Sequence, residues 1–324
     1  MTPRTIGGQT RTIGGTGVAV TRYGFGGGPI GNLYRALDDE AAEAAVVAAF
    51  EAGIRYFDTA PHYGLGLSER RLGRALAGRD RASFVLSTKV GRLLEPNPTP
   101  TGSDLETGGF DMPDTLRRRF DFSRDGVLRS LESSLERLGL DRIDILYAHD
   151  PDDHLDQAVT EAIPAMVELR EQGVVKAVGV GMNQWQALLR IVRETPVDVV
   201  LLAGRWTLLD RTGRTLLDEC AQRGVAVVAA APYNSGLTSQ ARPAPDAMFN
   251  YRPADAAVLA EANRIADVCE SFGVPLSAAA LQFPLRHPAV VSVLVGIRSA
   301  REAAETTQRF TTHVPDRLWQ ELGA

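Results

Sequence analysis

From residue 21 onward, short apolar runs alternate with amphipathic stretches of roughly 10–18 residues. This rhythm limits the possible fold more than any other feature. Continuous apolar runs of that length read as strands buried on both faces, and the stretches between them as the helices that cover those faces. Eight strand-like runs fall at residues 23–27, 55–59, 84–89, 143–149, 177–181, 197–203, 225–231 and 291–295. Each is followed by a helical pattern, so the expected architecture is α/β: a single-domain (β/α)8 TIM barrel over residues 21–324. A doubly wound sheet is the alternative, but no composition shift marks a second domain. Residues 1–20, where "RTIGG" occurs at 4–8 and again at 11–15, are expected to form a tail or hairpin ahead of the first core strand.

The helices carry their own punctuation. Asp38 or Asp39 can cap "DEAAEAAVVAAFEAG", with Gly53 closing it in a left-handed turn. Further helices are expected at 68–76, at 123–138 before Gly139, and at 155–172 before Gly173, with a kink at Pro164. Those at 184–194, 213–223 and 301–310 follow strands five, six and eight, and 254–272 and 276–286 lie between strands seven and eight. Residues 91–122 are rich in Pro, Gly, Asp and Thr and form the longest irregular stretch. A loop of that length after the third strand overhangs the face where barrel enzymes work.

Composition narrows the function classes. A net charge of −5 over 324 residues gives no basic footprint for nucleic acid. No apolar run approaches the length of a membrane span, and the first residues lack a signal-peptide core. Two cysteines, Cys220 and Cys269, make no disulfide framework, so a cytoplasmic location is expected. The expected partner is a small molecule. No metal site is expected, and oligomeric state is not legible.

Chemistry is concentrated at strand ends. Asp58 ends the second run, Lys89 the third and His149 the fourth, and Asn183 lies just past the fifth. In a barrel these ends converge on one face. A buried Asp58–Lys89 pair is poor evidence of stability, because desolvation offsets the Coulomb gain. It makes better sense acting on a third group, and Tyr63 is the candidate. A nearby ammonium lowers a phenol from its usual value of about 10, which predicts a Tyr63 able to exchange a proton near neutrality. His149 can orient a substrate oxygen. No arrangement for covalent catalysis or glycoside hydrolysis appears. Aromatic and imidazole groups near these ends (His62, Tyr147 and Trp206) are candidates for a substrate pocket shared with Tyr63 and His149.

The order Asp58, Tyr63, Lys89, His149 resembles the catalytic tetrad of the aldo-keto reductases. "GIRYFDTAPHYGLGLSERRLGRAL", "FVLSTKVGR", "LERLGLDRIDILYAHDPD", "GVVKAVGVGMNQW" and "APYNSGLTS" resemble landmarks of that superfamily, spanning about residues 11–310. "LLAGRWTLLD" and "PYNSG" resemble its sugar 1-dehydrogenase branch, which includes L-fucose (D-threo-aldose) and L-galactose dehydrogenases and the related pyridoxal 4-dehydrogenase. The resemblance implies an NAD(P)-dependent oxidoreductase that oxidises the C1 hemiacetal hydroxyl of an aldose to a lactone. Tyr63 is then the general acid/base, tuned by Lys89 and Asp58. A pyridoxal dehydrogenase or an NADPH-dependent aldehyde or ketone reductase is the enzymatic alternative. A cofactor-binding regulator is the non-enzymatic one, and the intact tetrad argues against it.

The resemblance also implies a cofactor site without a Rossmann fold, and "GFGGGPIG" agrees, because Pro29 stands where G-x-G-x-x-G needs its last glycine. By the same likeness Gly27 and Asp58 lie near the nicotinamide, and Asn183 holds its carboxamide. Pro232, Tyr233, Asn234, Ser235, Gly236 and Leu237 form the loop beside the pyrophosphate. Gly296, Arg298, Ser299, Glu302 and Glu305 lie at the adenosine end. Met182, Ala203 and Ala230 depart from the family pattern of serine, glutamine and a stacking aromatic, so Trp206 or Tyr233 is expected to supply the stacking ring. Glu302 stands about where NADP-preferring members carry an arginine. A carboxylate there repels a 2′-phosphate, which favours NAD over NADP, although Arg298 and Arg301 are close by.

Overall fold

The computed structural model describes residues 9–250 and 252–324. Eight parallel strands close a barrel. They are β1 (Tyr23–Gly26), β2 (Tyr56–Asp58), β3 (Val85–Val90), β4 (Ile145–His149), β5 (Ala177–Met182), β6 (Val199–Ala203), β7 (Ala226–Ala230) and β8 (Val290–Gly296). Each pairs with its sequence neighbours, and β8 returns to β1. All eight expected runs are strands, with ends shifted by no more than two residues.

Strand side chains alternate between two buried layers. Phe57, Leu86, Leu146, Val178 and Val200 point outward and join the apolar layer under the helices. Tyr56, Ile145, Tyr147, Ala177, Val199 and Val228 fill the barrel. Its lower end is plugged by the N-terminal hairpin, in which Thr10–Thr12 pairs antiparallel with Ala19–Thr21. Ile13, Val18 and Val20 from that hairpin are buried in the interior cluster. The second "RTIGG" copy supplies Ile13 and part of the turn, and the first lies outside the described residues.

Local signals explain the helix ends. Asp38, not Asp39, caps α1 (Asp39–Glu51), accepting from the Ala41 amide at 2.7 Å. Asp39 instead pairs with Arg71 and Arg74 of α2 (Leu67–Leu76). Gly139 closes α3 (Arg124–Leu138) in a left-handed turn. Pro164 acts through its missing N–H, which leaves the carbonyl four residues back without its donor. The helix accommodates this with a π-helical turn at Ala158–Ala162, just before Ile163–Glu171.

One expectation is corrected. Residues 91–122 are not irregular throughout: Arg92–Pro96 pairs antiparallel with Leu116–Phe120, and Leu105–Gly108 forms a short helix. The ribbon strand "LRRRF" escapes an apolar search because much of it reaches solvent. Arg118 fixes the ribbon with a bidentate pair to Asp104, at 2.6 and 2.7 Å, and a bond to the His62 carbonyl at 2.9 Å.

The turn carrying Tyr63 is held by a close backbone approach. Gly64 has φ +60, and a Cβ there would lie 2.2 Å from the Gly31 carbonyl oxygen. Gly64→Ala is expected to cost at least about 1–2 kcal/mol from handedness alone, and the clash adds to it. Urea unfolding and turnover measured together check this: both should fall, because the turn cannot shift without moving Tyr63.

Candidate active site

Three strand ends and one turn build the centre. Asp58, Lys89 and His149 are inward-pointing residues at the carboxyl ends of β2, β3 and β4, and all three are buried. Lys89 Nζ donates to Asp58 Oδ2 at 2.7 Å, to the Thr59 carbonyl at 2.9 Å and to the Tyr63 hydroxyl at 3.1 Å. All three ammonium protons therefore have acceptors. Ser68 of α2 fastens the rim, donating to the Gly27 carbonyl at 2.8 Å and lying 2.9 Å from the Thr59 hydroxyl.

Burial pushes the Asp58 carboxyl up. Burial also works against the Lys89 ammonium, but Asp58 and Tyr63 outweigh it and hold Lys89 above its ordinary value. We take the pair as ionised, because both Asp58 oxygens accept hydrogen bonds and Lys89 is fully satisfied. Tyr63 differs from expectation. Burial, opposed by Lys89 and reinforced by Asp58, raises its phenol to about 12. The ammonium does lower the phenol, but desolvation of the phenolate is the larger effect. Tyr63 is thus a proton donor at neutral pH. His149 is held neutral, well below the usual imidazole value, by burial and then by Arg92, Lys89 and His62.

His62, Tyr63 and His149 form a triangle of rings with centroids 5.5–6.0 Å apart. Phe110 from the ribbon closes one side, 5.2 Å from His62 and 6.2 Å from Tyr63. Behind them Arg92 is paired to Asp150 at 2.5 Å, and Asp150 holds a left-handed φ of 43. The buried Nδ1 atoms of His62 and His149 and Nε of Arg92 have no hydrogen-bond partner in the protein. Arg92, Arg118, Phe110 and Asp150 were missed from sequence, because the ribbon that carries most of them reads as irregular.

A cavity of about 670 Å³ runs from Tyr63 and Asp58 across the barrel top to the last strand. Gly27 and Asn183 line it, as do Pro232, Tyr233, Asn234, Ser235 and Gly236. Gly296, Arg298, Ser299, Glu302 and Glu305 line its far end. Gly27 is forced by the barrel wall, since a Cβ there would lie 2.6 Å from the Asp58 carbonyl oxygen. Asn183 is oriented by its Nδ2, which donates to the Ala203 carbonyl at 3.0 Å. Met182 points outward into the helix-covered layer. Ala231, Asn234 and Ser235 hold positive φ, and such strain clusters at ligand sites. The N-terminus of the helix Ala300–Thr311, capped by Ser299, borders the far end and favours an anion.

Three expected site residues lie elsewhere, and His62 and His149 stand against Tyr63 without lining this cavity. Trp206 does not line the cavity: its indole donates to the Pro284 carbonyl at 3.2 Å, and its ring packs on Phe283 and His287. Leu237 is buried below the loop whose other members line the cavity. Tyr147 lies one layer beneath the cavity floor, inside the barrel. Tyr233 is the remaining candidate for a stacking ring. Among the described residues, no cluster of side chains could hold a metal ion, and no helix is long and apolar enough to cross a membrane.

A long cavity with an amide-bearing side chain at one end and a helix N-terminus at the other fits a nicotinamide dinucleotide. The comparisons agree. The aldo/keto reductase family model matches residues 22–323. D-threo-aldose 1-dehydrogenase from a Pseudomonas species is 47% identical over 309 residues, 94% of each chain. Pyridoxal 4-dehydrogenase from Microbacterium luteolum is 39% identical over 332 residues, 97% of this chain and 96% of that one. The solved holo form of the aldo-keto reductase AKR11C1 from Bacillus halodurans has a TM-score of 0.76 at 27% identity, covering 97% of this chain and 95% of that one.

The ion pair sets an expectation for stability. Lys89→Met leaves a buried carboxylate without its cation and should cost about 3–5 kcal/mol in urea unfolding. The double variant Asp58→Leu/Lys89→Met removes both charges and should recover much of that loss while staying inactive. A double variant no more stable than Lys89→Met would contradict the ionised pair.

Proposed function

The chain belongs to the aldo/keto reductase family and is an NAD(P)-dependent oxidoreductase, and from that premise we propose that it oxidises the C1 hemiacetal hydroxyl of an aldose to a lactone with NAD. The observation that carries the reading is the Lys89 ammonium bonded to the Tyr63 hydroxyl beside three buried polar atoms without partners. A nicotinamide held by the residues lining the cavity would supply the acceptor for the C1 hydride. Tyr63, in its phenolate form beside the Lys89 ammonium, takes the proton of the C1 hydroxyl as the hydride leaves, and the C1–O bond becomes a carbonyl. Neutral His149 orients the reacting oxygen. His62 Nδ1 and Arg92 Nε can hydrogen-bond the remaining hydroxyls, which suits a polyhydroxylated substrate.

The NAD preference rests on the far end of the cavity. The Arg298 guanidinium donates through its two terminal nitrogens to three backbone carbonyls, those of Leu33, Arg35 and Ala36, which leaves only its buried Nε without a partner. Glu302 accepts from the Arg298 amide at 2.8 Å and places its carboxylate in the first turn of the helix. Arg301 is paired with Glu305 at 2.7 Å. None of this favours a 2′-phosphate. The cyclic hemiacetal of pyridoxal is the second reading, favoured by Phe110, which offers an aromatic wall beside Tyr63. The two cysteines are buried and unpaired, which suits a reducing compartment, and we place the enzyme in the cytoplasm.

Purified protein assayed with NAD+ and NADP+ against aldoses and pyridoxal tests the reading. Faster lactone formation from an aldose with NAD+ is expected; no turnover of any aldose would overturn it. Oxidation needs the deprotonated phenol, whose value is raised to about 12. The rate should therefore climb with pH through the neutral range and above, while carbonyl reduction should not. Tyr63→Phe should lower turnover by about 10²–10⁴-fold with cofactor still bound in a fluorescence titration. His62→Leu should raise KM for the aldose by about 3–10-fold, the worth of one hydrogen bond.

A further inference from the structure

The layer directly beneath the reacting groups is built of hydroxyls. Side chains alternate along a strand, so the residues two before Asp58, Lys89 and His149 project into the barrel one layer down. They are Tyr56, Ser87 and Tyr147, and all three are fully buried. Ser87 donates to Asp58 Oδ1 at 2.6 Å. Its oxygen lies 3.2 Å from the Tyr56 hydroxyl, which lies 3.2 Å from that of Tyr147.

The direction of this chain follows from proton counting. Ser87 has one hydroxyl proton, and the carboxylate claims it. The Ser87–Tyr56 contact is laid out with Ser87 as donor at 3.2 Å, but with its one proton on the carboxylate Ser87 can only accept there, so Tyr56 turns its hydroxyl to Ser87 and its oxygen accepts from Tyr147. Burial raises both phenols far above their ordinary value, so they remain donors. Three O–H dipoles thus point one way, toward Asp58, and such chains strengthen cooperatively. The ionisable groups facing Asp58 are Lys89 on β3, Tyr63 on the following turn, Tyr56 on its own strand and Tyr147 on β4.

We propose that Ser87 and Tyr56, backed by Tyr147, are positioning residues for the reaction: they hold Asp58 as a carboxylate, so that Lys89 stays an ammonium against the Tyr63 hydroxyl. Lys89 supports one carboxylate oxygen and the hydroxyl chain supports the other. Without the chain, burial favours the neutral acid, and the cation beside Tyr63 loses its counter-charge. This rests on the acid/base role of Tyr63 given above, but the chain itself can be measured without substrate.

The test is a pH titration of the full chain labelled with ¹³C at aspartate carboxyls, with the Asp58 signal assigned by its loss in Asp58→Asn. Ser87→Ala should raise the Asp58 midpoint by about one pH unit, roughly the strength of a hydrogen bond to a charge. Tyr56→Phe, which keeps the packing, should raise it by less, and should add nothing in the Ser87→Ala background. Ser87→Thr, which keeps the hydroxyl, should restore the wild-type midpoint. If Ser87→Ala does not fold, Tyr56→Phe and Tyr147→Phe carry the titration. Midpoints equal to wild type in every folded variant would overturn the proposal, even if thermal stability fell. Where the wild type oxidises a substrate, the acid limb of kcat/KM should move with the Asp58 midpoint. Where it oxidises none, the functional reading fails and the titration still decides the chain.

Discussion

The Lys89 ammonium sits where water cannot hydrate it, and much of the active face is arranged to make that tolerable. A buried cation loses several kcal/mol of hydration and persists only if every proton finds an acceptor. Here the acceptors come from a strand end, a backbone carbonyl and a turn: Asp58, Thr59 and Tyr63. Each must be placed to within a fraction of an ångström. The barrel does this by pairing β2 with β3 in register, Asp58 opposite Ser87. The turn does it through the contact of Gly31 with Gly64.

The same constraint explains why the neighbouring groups are electrically quiet. With one buried cation in place, further charge nearby is unfavourable, and both His62 and His149 are held neutral by burial and surrounding cations. Arg92 and Arg118 are admitted only with carboxylates, Asp150 and Asp104, attached. The ribbon thus brings ion pairs to the pocket wall rather than free charge, and leaves neutral imidazoles beside Tyr63. The long cavity shares Asp58 and Tyr63 with this centre but is built differently beyond them. Loops after β6, β7 and β8 line much of it, with positive-φ residues and a helix N-terminus beside side chains such as Asn183 and Glu302.

Much of this was legible in the sequence, for a reason particular to barrels. Parallel strands buried on both faces must be apolar, so a polar residue at a strand's carboxyl end stands out, and all such ends meet on one face. That rule located Asp58, Lys89, His149 and Asn183. It misjudged Trp206, because which way an aromatic turns after a strand depends on the loop that follows. It missed Arg92 and Arg118, because a ribbon with a solvated face lacks apolar spacing. The hydroxyls of Tyr56, Ser87 and Tyr147 were in plain view two residues before the groups that were noticed. Only strand register brings them within reach of one another.

By itself the sequence determined the eight barrel strands, the helix ends and the order of the polar residues at the strand ends, because these depend on local periodicity and on steric limits within a few residues. The tertiary structure alone decided the protonation of Tyr63. Lys89 lowers it and burial raises it, and the outcome depends on how completely water is excluded, which no spacing encodes. It also decided that residues 91–122 pair into a ribbon rather than staying irregular, and that three hydroxyls from three strands align on one carboxylate. Each of these is a sum over groups distant in the chain, and closing the barrel brings those groups together.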